Sequence, residues 1–320
     1  MASTATRPGR RSERTGARRP GGGKRRRVFG TRRGLTIAAF LAPAVLFVAA
    51  FTYYPMLSGS QMAFRHWNLN NLSDTSWIGV DNFAAIFASQ QFRTTIANSV
   101  LWVVGSLIPQ IVIGFALALW LRRRFIFRGV YQALIFFPWA VCGFLIGILF
   151  RWMFNGEFGV VNDLLMKAHL ISSPIPWLAD PKFAMTAIII ANVWYGVTFF
   201  AIMILAALQS VPDELYEAAS IDGAGKVRMF WSVTVPFIRT TLALTVLLRV
   251  IWIFNFPDLI VGMTGGGPGG QTHIVTTYMI SLTRQGDYGK ASALGLIAVF
   301  VLLVFATFYL MATREQRTSR

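Results

Sequence analysis

Few residues in this chain have the types or spacing that covalent chemistry requires. His66, His169 and His273 stand far apart, with no partner at metal-ligand spacing. Cys142 is alone inside an apolar run, which excludes a disulfide framework and a cysteine-based metal site. No nucleophile elbow, phosphate-binding loop or paired carboxylates occur, so the sequence does not read as an enzyme's and implies no cofactor or metal on this chain. What it offers instead is the chemistry of recognition. Arg249 falls in the middle of an apolar stretch, where a cation facing lipid costs roughly 2.5–3.5 kcal/mol on insertion scales. It is therefore expected to face protein or a wet cavity. At about 100° per residue, Trp252, Ile253 and Phe256 share its face, while Asn255 and Asp258 lie farther round. An ideal helix puts Asp258 about opposite Arg249, so no ion pair is expected between them. Asn192, Trp194 and Tyr195 supply a second polar and aromatic cluster. Amides and a guanidinium can bond hydroxyls while ring faces cover C–H surfaces, the mixture a sugar needs. Each ring can equally be packing or an interfacial anchor, and Arg249 can serve a solute path or pair with a partner subunit.

These residues need apolar elements to hold them. The chain has 320 residues, 55% hydrophobic and only 13% charged, against about 25% charged in soluble domains. Six stretches carry the roughly 20 apolar residues that a bilayer core demands: Leu35–Tyr53, Ser99–Leu121, Val130–Phe150, Ala184–Leu208, Thr241–Met263 and Ala291–Ala312. The expected fold class is all-α integral membrane, with six transmembrane helices in residues 35–312. The formal charge of +17 is concentrated in residues 1–34, which hold 12 Lys/Arg and only Glu13. That segment is too polar and Gly/Pro-rich to fold alone, and reads as a disordered tail on anionic lipid rather than a nucleic-acid arm. The first apolar stretch ends in Tyr53-Tyr54-Pro55 with no small-x-small cleavage site, so it reads as an uncleaved helix. Arg122, Arg123, Arg124 and Arg128 crowd one short connection, Lys226, Arg228 and Arg239 another, and Arg314, Arg317 and Arg320 the tail 313–320. Placing these inside puts both termini and residues 209–239 in the cytoplasm. Trp67, Trp77, Trp152 and Trp177 fall in the outer connections and suit an interfacial belt. No Gly/Pro-broken pair of helices is visible in two halves, which argues against an inverted-repeat carrier.

The connection Gln209–Pro236 has a pattern of its own. Ser210 and Asp213 have capping-box spacing, Pro212 suits a first helical turn, and Asp213 and Glu214 favour the positive helix end. Leu215, Ala218 and Ala219 form an apolar stripe that stops at Gly223, a residue able to take the left-handed turn after a helix. A second short helix is expected from Lys226 to Val233, with Pro236 ending the loop. Glu217-Ala218-Ala219, then Asp222-Gly223, then Val233-x-Val235-Pro236 resemble the EAA loop of ABC importer permeases. Further matches run in order from about 35 to 312. Trp77-Ile78-Gly79-Val80-Asp81-Asn82-Phe83 and Thr264-Gly265-Gly266-Gly267-Pro268 followed by Thr272 resemble carbohydrate-importer permeases of the maltose and glycerol-phosphate first-subunit type. Gly289-Lys290-Ala291-Ser292-Ala293-Leu294 is similar to a further stretch of theirs, with Lys290 a departure.

The resemblance implies a coupling helix around Glu217, Ala218, Ala219, Asp222, Gly223 and Pro236 that docks into a cytoplasmic ATPase. It also implies a second homologous permease, two ATPase subunits carrying ATP and Mg, and an extracytoplasmic substrate-binding protein. Substrate would cross between the two permeases, past helices four to six. A self-contained ion-driven carrier or channel is the competing reading; it needs no docking loop and would usually carry a mid-membrane carboxylate, for which Asp258 is the one candidate. A membrane enzyme comes third.

Overall fold

The computed structural model describes residues 31–71, 73–123 and 125–318, with side chains between 34 and 313. Of the expected disordered basic tail 1–34, residues 1–30 lie outside the described residues, as do Arg124 and the last two residues, Arg320 among them, whereas 31–34 are already helical in the first turn of the first helix. By packing, the chain divides into residues 1–55 and 56–320. In the first unit, helix α1 (Thr31–Val48) runs into a π-helical turn at Ala49–Tyr53, and its apolar side chains are exposed. The helical stretch Gly34–Met62, closed by α2 (Tyr54–Met62), is long and apolar enough to cross a membrane.

The second unit continues with α3 (Asp81–Ala88), α4 (Gln90–Arg122), α5 (Arg128–Phe136), a 3-10 turn at Phe137–Ala140, α6 (Gly143–Met153), α7 (Val160–Lys167) and α8 (Pro181–Gln209). After these come α9 (Asp213–Ile221), α10 (Lys226–Met229), a π-helical turn at Phe230–Thr234, α11 (Val235–Phe254), α12 (Pro257–Met263), α13 (Val275–Arg284) and α14 (Tyr288–Thr318). Among the described residues there is no strand, only isolated bridges such as that between Arg65 and Trp77. Five helical stretches can cross a membrane, or six if the bent pair α5–α6 is one span. The all-α membrane architecture is as expected.

Helix α8 is the axis of this unit, with 61% of its most apolar window buried. In a bilayer the hydrophobic effect does not pull helices together, so close packing and interhelical hydrogen bonds must. Small residues serve the first need: Ala184, Ala187 and Ala191 on α8 are fully buried, the last two in one cluster with Trp102 of α4 and Ile253 of α11. Polar side chains serve the second. The Trp102 indole donates to the Ile253 carbonyl at 2.8 Å, the Val275 amide donates to the Ser99 hydroxyl at 3.0 Å, and Tyr309 donates to the Ala243 carbonyl at 2.9 Å.

Two expected spans are broken. The third bends by 99° between Arg128–Ala140 and Gly143–Met153, because Val141 and Cys142 are extended. The fifth stops at Asn255, and Phe256 leaves the helical region (φ −116°, ψ 72°). The next residue is Pro257, whose ring disfavours helical backbone in the residue before it. The sequence argues only against a Gly/Pro-broken pair recurring in two halves; single breaks in the third and fifth spans are what the structure adds. The far halves, α6 and α12, lie against each other at Gly147 and Gly262, with Ile146, Phe150, Leu259 and Ile260 buried beside them.

The fifth span also begins earlier than expected. Lys226–Phe254 is one helical stretch, so Pro236 lies in the first turn of α11 instead of ending the loop. The π-helical turn Phe230–Thr234 precedes it, a local irregularity of the kind that accompanies a residue without a backbone N–H inside a helical stretch. Likewise α14 continues to Thr318, so residues 313–318 are helical rather than a tail. In the connections 54–98 and 264–290 the motif residues form scaffold. The Asn82 amide, 6% exposed, donates to the Ala63 and Arg65 carbonyls at 2.9 Å each, and the Gly289 amide donates to Trp67. Thr264 and Thr272 share a hydroxyl hydrogen bond of 2.8 Å across the Gly-rich turn, and Lys290 pairs with Asp287 at 2.8 Å. Trp77 and Trp152 are exposed as an interfacial belt requires, but Trp177 packs on Phe154 and donates to the Asn162 amide oxygen at 2.8 Å.

Candidate functional site: a cavity at two helix breaks and a latched loop helix

Non-helical backbone at membrane depth survives only where protein buries it or a cavity is lined by it. Here the two breaks flank a cavity of ≈ 360 Å³ lined by Trp139, Tyr195, Arg249, Trp252, Asn255 and Phe256. Four of the six residues that the sequence put forward for a solute path meet in it: Tyr195, Arg249, Trp252 and Asn255. Trp139 and Phe256 complete the wall, brought there by the breaks at 141–142 and 255–256. Tyr195 and Phe256 stack face to face at 5.2 Å with their planes 4° apart. Trp252 tilts against Phe199 at 5.2 Å and against Trp139 at 6.1 Å.

Arg249 is 3% exposed, and no described residue forms an ion pair with it. Its Nε donates to Gln110 Oε1 at 2.8 Å, and Gln110 Nε2 donates to the Asn192 carbonyl at 2.9 Å. Gln110 is fully buried on α4, and the sequence reading missed it because a lone glutamine in an apolar helix has no spacing to flag it. Its signal was only that a buried amide must find partners. Gly196 makes the contact possible, since a Cβ there would overlap both the Arg249 guanidinium and the Gln110 amide. Asn192 is fully buried one turn below, off the cavity wall; its side-chain amide and Arg249 Nη2 have no hydrogen-bond partner among the described residues. Trp194 lies apart, packed on Phe150 at 5.5 Å.

At the other end of α4 a second polar cluster holds the loop. Pro212 is the N-cap of α9, just before rather than in its first turn, which holds Asp213 and Glu214. The expected capping box is absent: Ser210 ends α8 and its hydroxyl donates to the Ala207 carbonyl at 2.7 Å. The C-terminus closes as expected. Gly223 has φ +74°, its amide donates to the Ser220 carbonyl at 3.0 Å, and that of Ala224 to Ala219 at 2.9 Å, a complete Schellman turn. The inward face of α9 is not the expected stripe, since Leu215 and Ala218 are exposed. Instead Tyr216 anchors the helix. Arg122 Nη1 donates to its hydroxyl at 2.9 Å, that hydroxyl also bonds Thr234 at 2.9 Å, and the guanidinium sits 4.7 Å from the ring centre. Arg122 Nη2 is 3.6 Å from Asp213. Glu217, Asp222 and Ile221 (86% exposed) face outward.

An all-helical membrane protein with a polar cavity at broken helices and an exposed loop helix has the architecture of a transport permease. The chain belongs to the family of binding-protein-dependent transport system inner membrane components, whose description matches residues 110–320. It is similar to the trehalose/maltose transport system permease protein MalF of Thermococcus litoralis, with 31% identity over 277 residues, covering 87% of this chain and 93% of that one. In three dimensions it is similar to a chain in the crystal structure of a bacterial ABC transporter that imports the acidic polysaccharide alginate (TM-score 0.77, 28% identity, covering 88% of this chain and 96% of that one). A second structure of a bacterial alginate ABC transporter, in complex with an alginate pentasaccharide-bound periplasmic protein, matches at a TM-score of 0.76 and 27% identity, covering 88% and 95%. The chain is therefore an ABC importer permease, an inner membrane component.

Proposed function

We propose that this permease imports a carbohydrate or related polyol and forms half of the translocation path. One observation carries the reading: the ring-lined cavity at the two helix breaks, with Arg249 in its wall. Stacked and tilted rings offer faces to sugar C–H surfaces, and Arg249 and Asn255 offer donors to hydroxyls. The sugar-transporting relatives support that substrate class. The binding-protein-dependent family supports a periplasmic protein that delivers substrate to the outer loops. In this reading a second homologous permease supplies the other half, and two ATPase subunits hold ATP and Mg. The termini and residues 209–239 lie on the cytoplasmic side. The exposed face of α9 docks into an ATPase, and the Tyr216 anchor passes its movement to α4 and α11. A self-contained carrier gains no support, since no carboxylate lines the cavity among the described residues.

The test is the loop. Gly223→Asp puts a side chain on a left-handed residue, costing about 1 kcal/mol or more locally, and Glu217→Lys reverses an exposed charge. Both variants should reach the membrane but lose substrate-stimulated ATP hydrolysis in reconstituted complexes. Wild-type ATPase association and stimulation in both would remove α9 as the coupling helix.

A further inference from the structure

The latch also shapes a groove. Between the end of α4 and the α9–α10 segment is a depression of ≈ 570 Å³ whose wall includes Leu119, Arg122, Arg123, Tyr216, Lys226 and Phe230. Three of these are cations, and no carboxylate lines it among the described residues. Arg122 is spent on Tyr216 and Asp213. Arg123 and Lys226 are exposed and have no partner among the described residues. Lys226 opens the long helical stretch Lys226–Phe254, where the helix dipole disfavours a cation and favours an anion. The Gly225 cap adds no side-chain hydrogen bond there.

The groove's place along the chain fits the depth of lipid headgroups. The span Gln90–Arg122 ends at it. Trp120, Phe125 and Tyr131 form a ring cluster at the same level, with Trp120 and Tyr131 edge to face at 5.1 Å, as aromatic residues do at the membrane boundary. Leu119 and Phe230 give the groove an apolar floor beside its charged rim. A soluble protein partner fits less well. The outward face of α9 carries Glu214 and Glu217, so a partner docking on α9 should be basic there, while the groove on its Tyr216 side wants an anion.

We propose that this groove binds the headgroup phosphate of an anionic glycerophospholipid, between Arg123 and Lys226, with an acyl chain descending past Leu119. The inference needs only that this end of α4 lies at a membrane surface. It does not depend on what the cavity carries.

Native mass spectrometry of the full-length protein, purified with its associated subunits in mild detergent, tests it. Palmitoyl-oleoyl phosphatidylglycerol should be retained in preference to the matching phosphatidylcholine. Arg123→Gln and Lys226→Gln should each weaken that retention about fivefold, since each surface cation contributes a similar increment to anionic-lipid binding. Neither side chain has a hydrogen-bond or ion-pair partner among the described residues, so the thermal midpoint without added lipid should move little. Free glycerol phosphate at the same concentration should leave the lipid in place. Equal retention of the two lipids would overturn the proposal, as would a double variant that retains phosphatidylglycerol like the wild type. Displacement by glycerol phosphate would overturn it too, by showing a site for a soluble anion.

Discussion

Two arginines hold this permease together by the same chemistry in different surroundings. Arg249 bonds the amide of Gln110 from 139 residues away, and Arg122 bonds the hydroxyl of Tyr216 from 94 residues away. Each takes a neutral partner as its closest contact and lies near a ring, Phe199 at 5.9 Å for one and Tyr216 at 4.7 Å for the other. Arg249 is 3% exposed, however, while the Arg122 side chain keeps 30% of its surface open. Burial decides what each bond is worth. An orphaned partner inside the membrane has no water to turn to, whereas one at the surface is rehydrated at once. The inner pair is therefore fit to fix helix positions around the cavity. The outer one costs less to break, as a helix proposed to move would require.

The harshest way to break this contrast is to fill the space on which the inner pair depends. Gly196→Val drives a side chain into both the Arg249 guanidinium and the Gln110 amide. Overpacking of this kind costs about 1–3 kcal/mol, and the lost charged hydrogen bond about 1.5–3 more. Yield of the assembled complex should collapse; a Gly196→Val complex with wild-type yield and melting temperature would show that the cluster is loose.

Next in size is the pair itself. Arg249→Leu orphans Gln110 and should impair transport or assembly while leaving insertion intact. In a double-mutant cycle with Gln110→Leu, thermal stability should report a coupling of about 1.5 kcal/mol or more. Additive single effects would show that the 2.8 Å contact contributes nothing.

Smaller again, Tyr216→Phe keeps the ring under Arg122 but removes the hydroxyl between Arg122 and Thr234. The same cycle with Arg122→Gln should give at most about 1 kcal/mol. Stimulated ATP hydrolysis should fall further than that stability change accounts for, because the lost bonds link α9 to α4 and to the start of α11. Equal coupling at the two arginines would erase the distinction drawn from burial.

The least effect is expected at His273, which follows the Gly-rich turn. Burial holds the His273 imidazole below its ordinary value, near 6.5. As pH falls, the unfolded chain takes the proton first, so stability present above about pH 6.5 is lost toward the lower folded-state value. The melting temperature should drop between pH 7.5 and 5.5, and His273→Gln should drop less; an identical pH response in that variant would exonerate the histidine.

Much of this molecule was legible in order of sequence. Span positions follow from apolar length because the bilayer sets it, and the left-handed Gly223 follows from a helix that must close its last carbonyls. The break before Pro257 was half visible, since a proline constrains the residue ahead of it whatever the tertiary context. Where a helix's side chains point was not decided locally. Leu215, Ala218 and Ala219 mark one apolar stripe in the sequence, yet Tyr216 is the anchor, because Arg122 and Thr234 lie on its side. That choice depends on residues 94 and 18 positions away. The same holds at the cavity. Sequence alone determined that Arg249 could not face lipid, through the cost of an unpaired charge. Only tertiary structure chose Gln110 as its partner, Gly196 as the gap it enters, and two broken helices as the wall in front of it, because those contacts join three helices whose register no local pattern records.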